Sequence, residues 1–392
     1  MGDRVTQDRA SEIGDSRQMS LWEDVPIAEN PAYLSRQLIT YIGNKRCLLR
    51  QIGTAVERVK HRLGKRRLRV FDVFSGSGVV SRYLKAHASL VVSNDFEDYA
   101  AVIARCYLRN RSSVDFPALL DVVAELNAKV SSEPFPPGFI EELYAPKDDA
   151  NITREDRVFY TRENARRLDN YRRLIEGAPS EMRDALLGPL LSEASVHANT
   201  AGVFKGFYKN RHTGVGQFGG SGSDALLRIT SQIKLEPPVL SVFECEYEVL
   251  QEDANSAARS LKNLDLAYID PPYNQHPYGS NYFMLNLLVK YQRPVHISPV
   301  SGIPADWRRS GYNVKQRALP LLEDLLCAID AQFLLVSFNN EGFIPPDRMR
   351  AMLDGLGSVE VIEAPYNAFK GSRNFTNRPI HVTEYLFLVE RR

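Results

Sequence analysis

The residues Asp270-Pro271-Pro272-Tyr273 set three kinds of group side by side: a carboxylate, backbone carbonyls whose direction the prolines fix, and an aromatic ring. They follow the apolar run Leu264–Ile269, which reads as a buried strand. A strand that stops abruptly here delivers all three groups to one point. That set can hold a flat, unpaired nucleobase: the oxygens accept hydrogen bonds from an exocyclic amino group, and the ring stacks on the base face. The plainer alternative is a proline turn that only ends a strand.

A second constellation lies far upstream, in VFDVFSGSG over residues 70–78. A strand runs into Gly76-Ser77-Gly78 and then a helix. Glycines there allow a tight turn and a close approach of ligand to backbone. Asp95 ends the next strand, nineteen residues after Gly76, where nucleotide-binding α/β folds reach ribose hydroxyls. The turn lacks G-x-G-x-x-G spacing, so a nucleoside without phosphates fits better, and S-adenosylmethionine is the candidate cofactor. Without a ligand the same residues make an ordinary strand–helix turn. A third group, Tyr41-Ile42-Gly43-Asn44-Lys45-Arg46, precedes the first helix. Its Gly-Asn turn caps a helix whose amides would bind an anion, or does no more than cap. In an open parallel sheet, ligands sit beyond the carboxyl ends of strands, so Gly76, Gly78 and Asp270 can face one crevice.

The elements that position these groups form an interrupted α/β pattern. Leu48, Leu49, Ile52, Val56 and Val59 lie close to a 3.6 period and predict a helix over 46–62. Strands are predicted over 68–74 and 90–94, and helices over 79–86 and 97–109, the order of a doubly wound α/β sheet. Around 112–240 the pattern changes. Pro134-Phe-Pro-Pro-Gly138 breaks the chain, Arg-rich helical stretches follow at about 154–176 and 181–195, and a glycine-rich run covers 202–222. Strands return at 239–249, 264–269, 333–338, 359–363 and 383–389. The simplest organisation is a catalytic α/β domain over 36–111 and 240–392, an inserted region over 112–239, and a polar N-terminal extension over 1–35.

Composition narrows the classes. The chain has 392 residues, 44% of them hydrophobic and 25% charged, ordinary for a globular protein. A net charge of +1 gives no global signal for nucleic acid, so any such signal is local. Cys47, Cys106, Cys245 and Cys327 form no C-x-x-C pair, which argues against a zinc site or a disulfide framework and predicts no metal. The absence of a long apolar run or a signal-like start predicts no membrane span and a cytoplasmic location. Neither monomer nor dimer can be read from these residues.

Taken in order, Tyr41-x-Gly-Asn-Lys-Arg46, Asp72-x-Phe-x-Gly-Ser-Gly78, Asn94-Asp95 and Asp270-Pro-Pro-Tyr273 resemble the alpha class of DNA adenine-N6 methyltransferases. Val336-Ser-Phe-Asn-Asn-Glu-Gly342, Gly371-Ser-Arg-Asn374 and Glu384-Tyr-Leu-Phe387 extend the match, which spans about residues 38–390. The resemblance implies a Rossmann-like methyltransferase sheet, mostly parallel with an antiparallel C-terminal strand, carrying an inserted, largely helical target-recognition domain. It implies that Tyr41, Asn44 and Lys45 line the methionine end of S-adenosylmethionine, and that Phe71, Asp72, Phe74 and Gly76 form the glycine motif. Asp95 then binds the ribose, with Glu97 as a rival, and Asp253 meets the cofactor adenine, with Glu252 adjacent.

On this reading Asp270 and the Pro271 carbonyl accept hydrogen bonds from adenine N6, and Tyr273 stacks on a base flipped out of double-stranded DNA. An amino group attacks directly, so no cysteine nucleophile is required and cytosine-C5 methylation is disfavoured. Basic and aromatic residues mix in 200–212, making Lys205, Tyr208, Lys209 and Arg211 candidate DNA contacts, with Arg373. His276, Tyr278, Asn281 and Tyr282 are expected to close over the flipped base. Ten Lys/Arg in 45–69 read equally as a DNA face or a solvated helix. Cytosine-N4, an RNA adenine or a protein amide remain alternative targets, and a non-catalytic DNA-binding subunit is a third possibility. A cognate restriction endonuclease is a possible partner.

Overall fold

The computed structural model describes residues 29–220, 225–272, 274–339, 342–367 and 381–392. The strands are β1 (Leu68–Asp72), β2 (Ala88–Asn94), β3 (Glu246–Leu250), β4 (Leu264–Ile269), β5 (Ala331–Asn339), β6 (Gly357–Asn367) and β7 (His381–Arg391). Among the described residues they form one sheet in the order β3-β2-β1-β4-β5-β7-β6. β1 to β5 are mutually parallel, and β7 runs antiparallel between β5 and β6. The sheet therefore has the mostly parallel, antiparallel-ended form that the motif order implies.

The main helices are α1 (Leu49–Leu63), α2 (Val79–Leu84), α3 (Asp98–Tyr107), α4 (Phe116–Ser132), α5 (Phe139–Tyr144), α6 (Arg162–Glu176), α7 (Ser180–Val196), α8 (Ala254–Ser260), α9 (Phe283–Lys290), α10 (Lys315–Ala328) and α11 (Pro346–Asp354). They cover both faces of the sheet, which explains why β4 is apolar along its length. Leu266 and Tyr268 join the core beneath α1 to α3, while Ala267 and Ile269 join the core beneath α8, α10 and α11. Each such Leu or Ile removed from water contributes about 1.5–3 kcal/mol. Asp265, the one acid in this strand, is buried but accepts hydrogen bonds from Lys65 Nζ at 2.6 Å and the Arg69 amide at 2.8 Å.

α1 shows the sequence logic locally. Leu49, Ile52, Val56 and Val59 form its buried stripe. Gly53 lets the Tyr83 ring approach; a Cβ there would lie 2.1 Å from its hydroxyl. The helix stops at Gly64, whose φ of 63° closes it by Gly64 and Lys65 amide bonds to the His61 and Lys60 carbonyls.

The chain steps from β1 outward to β2 and β3, then returns to β4 on the other side of β1 and continues to β5. This reversal opens a crevice at the carboxyl ends of β1 and β4. Described residues of the region 112–239 share the core of the sheet: Leu119, Tyr144, Phe159, Leu168 and Leu190 belong to the same apolar cluster as Val70 and Val91. α7 packs on α3 through Gly188, where a Cβ would lie 2.6 Å from Cys106 Sγ.

Two boundaries differ from the sequence reading. The strand expected over 239–249 begins only at Glu246, because β2 offers partners from Leu90↔Glu246 onward. The helix expected from about 154 starts at Arg162, where the Thr161 side chain caps the Asn164 amide at 3.2 Å. Before it, Phe159 and Tyr160 donate instead to the Tyr144 carbonyl.

Candidate active site

Asp270 follows the last residue of β4 and stands beside the end of β1, where the Val73 amide bonds to the Tyr268 carbonyl at 3.0 Å. Its side chain keeps 17% of its surface exposed and lies 3.2 Å from the Lys45 ammonium, itself 3% exposed. Lys45 also pairs with the fully buried Glu384 of β7. Burial pushes the Asp270 carboxyl up to about 7; Lys45 opposes this and Glu384 adds to it. Below, Asp72 is buried with Oδ2 accepting from the Ser81 hydroxyl at 2.6 Å. Burial raises it to about 7, Ser81 restrains it, and Asp270 and Asp95 push further up. Two carboxyls, Asp270 and Glu384, thus meet one ammonium in a shielded volume with Asp72 close to Asp270, so their protonation is coupled.

The adjoining cleft is walled by the aromatic rings of Tyr41, Phe74, Tyr278 and Tyr312, by the acids Asp95, Glu97, Glu252 and Asp253, and by Arg308, Arg309 and Arg317. Asp270 and Pro272 also line it. Asp95 is fastened to the glycine turn: Oδ2 accepts the Gly76 amide at 2.8 Å and Oδ1 accepts the Glu97 amide at 2.9 Å. Gly76 has a φ of +52°, and a Cβ there would sit 2.8 Å from the Tyr41 ring. Tyr41 in turn stacks on Tyr278 and Tyr282 with centroids 5.0 and 4.9 Å apart, contacts worth about 0.5–1.5 kcal/mol each beyond area burial. Glu97 Oε2 accepts Asn286 Nδ2 at 2.6 Å, and burial raises its carboxyl to about 7. Asp253 caps α8 through the Asn255 and Ser256 amides at 3.1 and 3.2 Å.

The structure brings Tyr41, Phe74, Asp95, Asp253, Asp270 and Pro272 to one cleft. Other expected residues stand elsewhere. Phe71 is buried in the core on the α8/α10 face, and the Asp72 carboxylate turns toward Ser81. Asn44 caps the 3₁₀ turn Lys45–Leu48 by accepting the Arg46 amide at 2.9 Å. Lys45, expected at the methionine end of the cofactor, lies against the acid that ends β4. Tyr273 and Arg373 fall outside the described residues. Sequence reasoning missed Tyr312, Arg308, Arg309 and Arg317, although the string Trp307-Arg-Arg-Ser-Gly-Tyr312 mixes cations and aromatics much as 200–212 does. It quoted Glu384 without assigning it a role.

The profile of the D12 class N6 adenine-specific DNA methyltransferases matches residues 41–297. The chain belongs to that family. It is similar to the type II methyltransferase M.NlaIII of Neisseria lactamica, 28% identical over 365 residues that cover 90% of this chain and 99% of the relative. The type II methyltransferase M.CviAII of Paramecium bursaria Chlorella virus 1 is 27% identical over 356 residues, covering 90% and 98%. The modification methylase StsI of Streptococcus sanguinis is 27% identical over 371 residues, covering 90% of this chain and 52% of the relative. The protein is thus a site-specific DNA adenine-N6 methyltransferase, and the cytosine, RNA and non-catalytic alternatives fall behind.

In this methyltransferase the glycine-rich run folds into a hairpin. Lys209 bridges Gly216, the Asn210 amide bonds to the Val215 carbonyl at 2.8 Å, and Asn210 Oδ1 accepts the His212 and Thr213 amides at 3.0 and 3.1 Å. Buried Asn199 holds its base: Nδ2 donates to the Val158 and Gln217 carbonyls at 2.7 and 2.8 Å, and Oδ1 accepts the Gly219 amide at 2.9 Å. The Phe204 amide bonds to the Asn281 carbonyl at 2.7 Å, tying this region to the segment after Asp270. Lys205, Lys209 and Arg211 are exposed, Tyr208 is half-buried, and His276 is exposed. Tyr278 faces the cleft. Asn281 and Tyr282 are buried; the Tyr282 hydroxyl accepts the Ile42 amide at 2.8 Å and its ring stacks on Tyr41, so Tyr282 supports the Tyr41 turn.

Many other cations are already engaged. Arg58 and Arg62 pair with Glu360, Arg62 also meets Glu390 at 3.0 Å, and Lys65 meets Asp265. Arg162 and Arg166 converge on buried Glu141 at 2.9 and 3.1 Å. Arg172 and Arg173 donate to backbone carbonyls at Leu288 and Pro136. Among the described residues no helix is long and apolar enough to cross a membrane, and no cluster of His, Cys, Asp or Glu could hold a metal.

Proposed function

We propose that the crevice between β1 and β4 holds S-adenosylmethionine beside a flipped adenine, and that Asp270 and the Pro271 carbonyl receive the N6 amino group. The carrying observation is the position of Asp270: at the end of β4, across the topological reversal from the Gly76 turn, partly open to the cleft and paired with a buried ammonium. The cleft suits the cofactor chemically. Its acids complement a sulfonium and an ammonium, Phe74 and Tyr312, packed edge to face at 5.2 Å, offer apolar surface to a flat ring system, and the Tyr41 ring covers the glycine turn where a phosphate cradle would need open amides. Asp95, with Glu97 beside it, would hold the ribose hydroxyls; Asp253 and Glu252 would meet the adenine end.

When bound, S-adenosylmethionine supplies an electrophilic methyl group. The chain's own residues do the rest. The N6 lone pair is delocalised into the purine ring; accepting both amino protons at Asp270 and Pro271 favours a more tetrahedral nitrogen with its lone pair free. Alignment of the two reactants can supply on the order of 7–11 kcal/mol of barrier reduction. The nitrogen that gains a methyl sheds a proton, and the Asp270 carboxylate is placed to take it. Tyr273 would stack on the base.

Region 112–239 serves target recognition in this reading. The hairpin of Tyr208 to Gln217 presents Lys209 and Arg211 to duplex DNA, with Lys205 nearby. Since the relatives are type II and modification methylases, the enzyme acts as the modification partner of a restriction endonuclease. The test is methyl transfer from labelled S-adenosylmethionine to DNAs of mixed sequence, followed by nucleoside analysis. N6-methyladenine is expected; N4-methylcytosine, or label only in RNA or protein, would sink the assignment.

A further inference from the structure

Glu384 is a fully buried charge that the proposed chemistry leaves unused. It is the fourth residue of β7, opposite Asn339 of β5 and Ala364 of β6, with none of its surface exposed. A carboxylate in such a place costs several kcal/mol in desolvation unless it is paired and hydrogen-bonded. Its Oε1 takes the Lys45 ammonium and the Ser337 hydroxyl, the latter at 3.3 Å, while Oε2 meets no hydrogen-bond donor among the described residues. An apolar residue would fill this position at lower cost if β7 needed only packing. Lys45 reaches the carboxylates of Glu384 and Asp270 at once.

We propose that Glu384 is a positioning residue for methyl transfer: by holding one side of the Lys45 ammonium it fixes that ammonium against Asp270 and divides its charge, leaving Asp270 basic enough to receive the adenine amino group. The titratable groups that meet Asp270 are Lys45 before α1, Asp72 of β1, Tyr268 of β4 and Glu384 of β7. Lys45 lowers the Asp270 carboxyl, whereas Glu384 raises it. An Asp270 that faced Lys45 without Glu384 would be a weaker acceptor and a weaker base.

The test is the pH dependence of the single-turnover methylation rate, with cofactor and DNA saturating. Glu384→Gln keeps the shape and removes the charge. It should slow transfer about tenfold or more near neutral pH and move the acidic limb downward by on the order of one pH unit. Lys45→Met should move the limb upward, and Glu384→Asp should leave it near the wild-type position. A purely structural role would lower the rate without moving the limb. An unmoved limb in Glu384→Gln, or one that moves equally in Glu384→Asp, overturns the proposal. Should Glu384→Gln not fold, adding it to Lys45→Met must still lower the limb relative to Lys45→Met alone. The proposal rests on Asp270 receiving the amino group, so Asp270→Asn is assayed in parallel. Retained transfer in Asp270→Asn overturns the site itself, whereas an inactive Asp270→Asn beside an unmoved limb overturns only the role of Glu384.

Discussion

The crevice at the ends of β1 and β4 and the hairpin of 208–217 are built on opposite principles. In the crevice the functional side chains are themselves part of the framework. Asp95 holds the Gly76 amide, Tyr41 packs on Gly76, and Asp270 is locked by the Lys45 pair. In the hairpin the framework is backbone, gathered by Asn199, while Lys209 and Arg211 are exposed, Lys209 with its ammonium 4.9 Å from the Phe207 ring centroid. The first arrangement tolerates little change because each residue has two tasks. The second lets exposed side chains vary without disturbing the fold, which suits a surface that selects a DNA sequence.

The sharpest way to break this contrast is Asp270→Asn. Transfer should fall by on the order of 10²–10³-fold or more, with cofactor affinity and thermal midpoint nearly unchanged. Equilibrium binding of S-adenosylmethionine and single-turnover rates check both halves. Next comes Asn199→Ala, which leaves buried carbonyls and an amide unpaired; a stability loss of about 2–4 kcal/mol is expected in denaturant unfolding, with DNA discrimination weakened and nucleoside chemistry unaltered. Gly76→Ala must displace Tyr41 and adopt a positive φ, so cofactor affinity should drop about tenfold, with smaller loss of fold stability. The smallest effect belongs to Arg211→Ala. It should weaken binding to all duplexes several-fold and reduce the log–log salt slope by about 0.9 if the guanidinium meets one phosphate. A change in preferred sequence instead would place Arg211 on a base edge.

Acid sharpens the same contrast. Asp270 has its carboxyl raised to about 7 by burial, so its ionised, accepting form is lost as pH falls through that value. Transfer should decline below neutral pH while duplex affinity persists. Comparing the pH profiles of single-turnover rate and DNA affinity checks this.

These two regions also differ in how far the sequence revealed them. Strand-end motifs are local: Leu264–Ile269 is apolar because it is covered on both faces, and Asp270-Pro-Pro follows at once, so strand, stop and acid were readable together. The Gly76 turn and Asp95 were legible for the same reason. The ties of Tyr282 to Ile42 and Tyr41 were not legible, because they join residues 240 positions apart in the first case. Arg308 was overlooked because its value lies in reaching Phe96 and Asp98 across the cleft. The Arg-rich stretch of α6 was legible as a helix but not in its partners: Arg172 and Arg173 bind backbone carbonyls that only the folded chain supplies.

The contact between Lys45 and Glu384 joins residues 339 positions apart. Such a closure belongs to the slow, long-range end of folding. At about 5–20 residues per second on the ribosome, the ammonium waits roughly 20–70 s for its carboxylate to be synthesised. The glycine turn and Asp270 exist before then, but the ion pair that secures Asp270 does not. If Glu384 has the proposed role, methylating capacity arrives late, once β7 has joined the sheet, and a growing chain passes most of its synthesis without it.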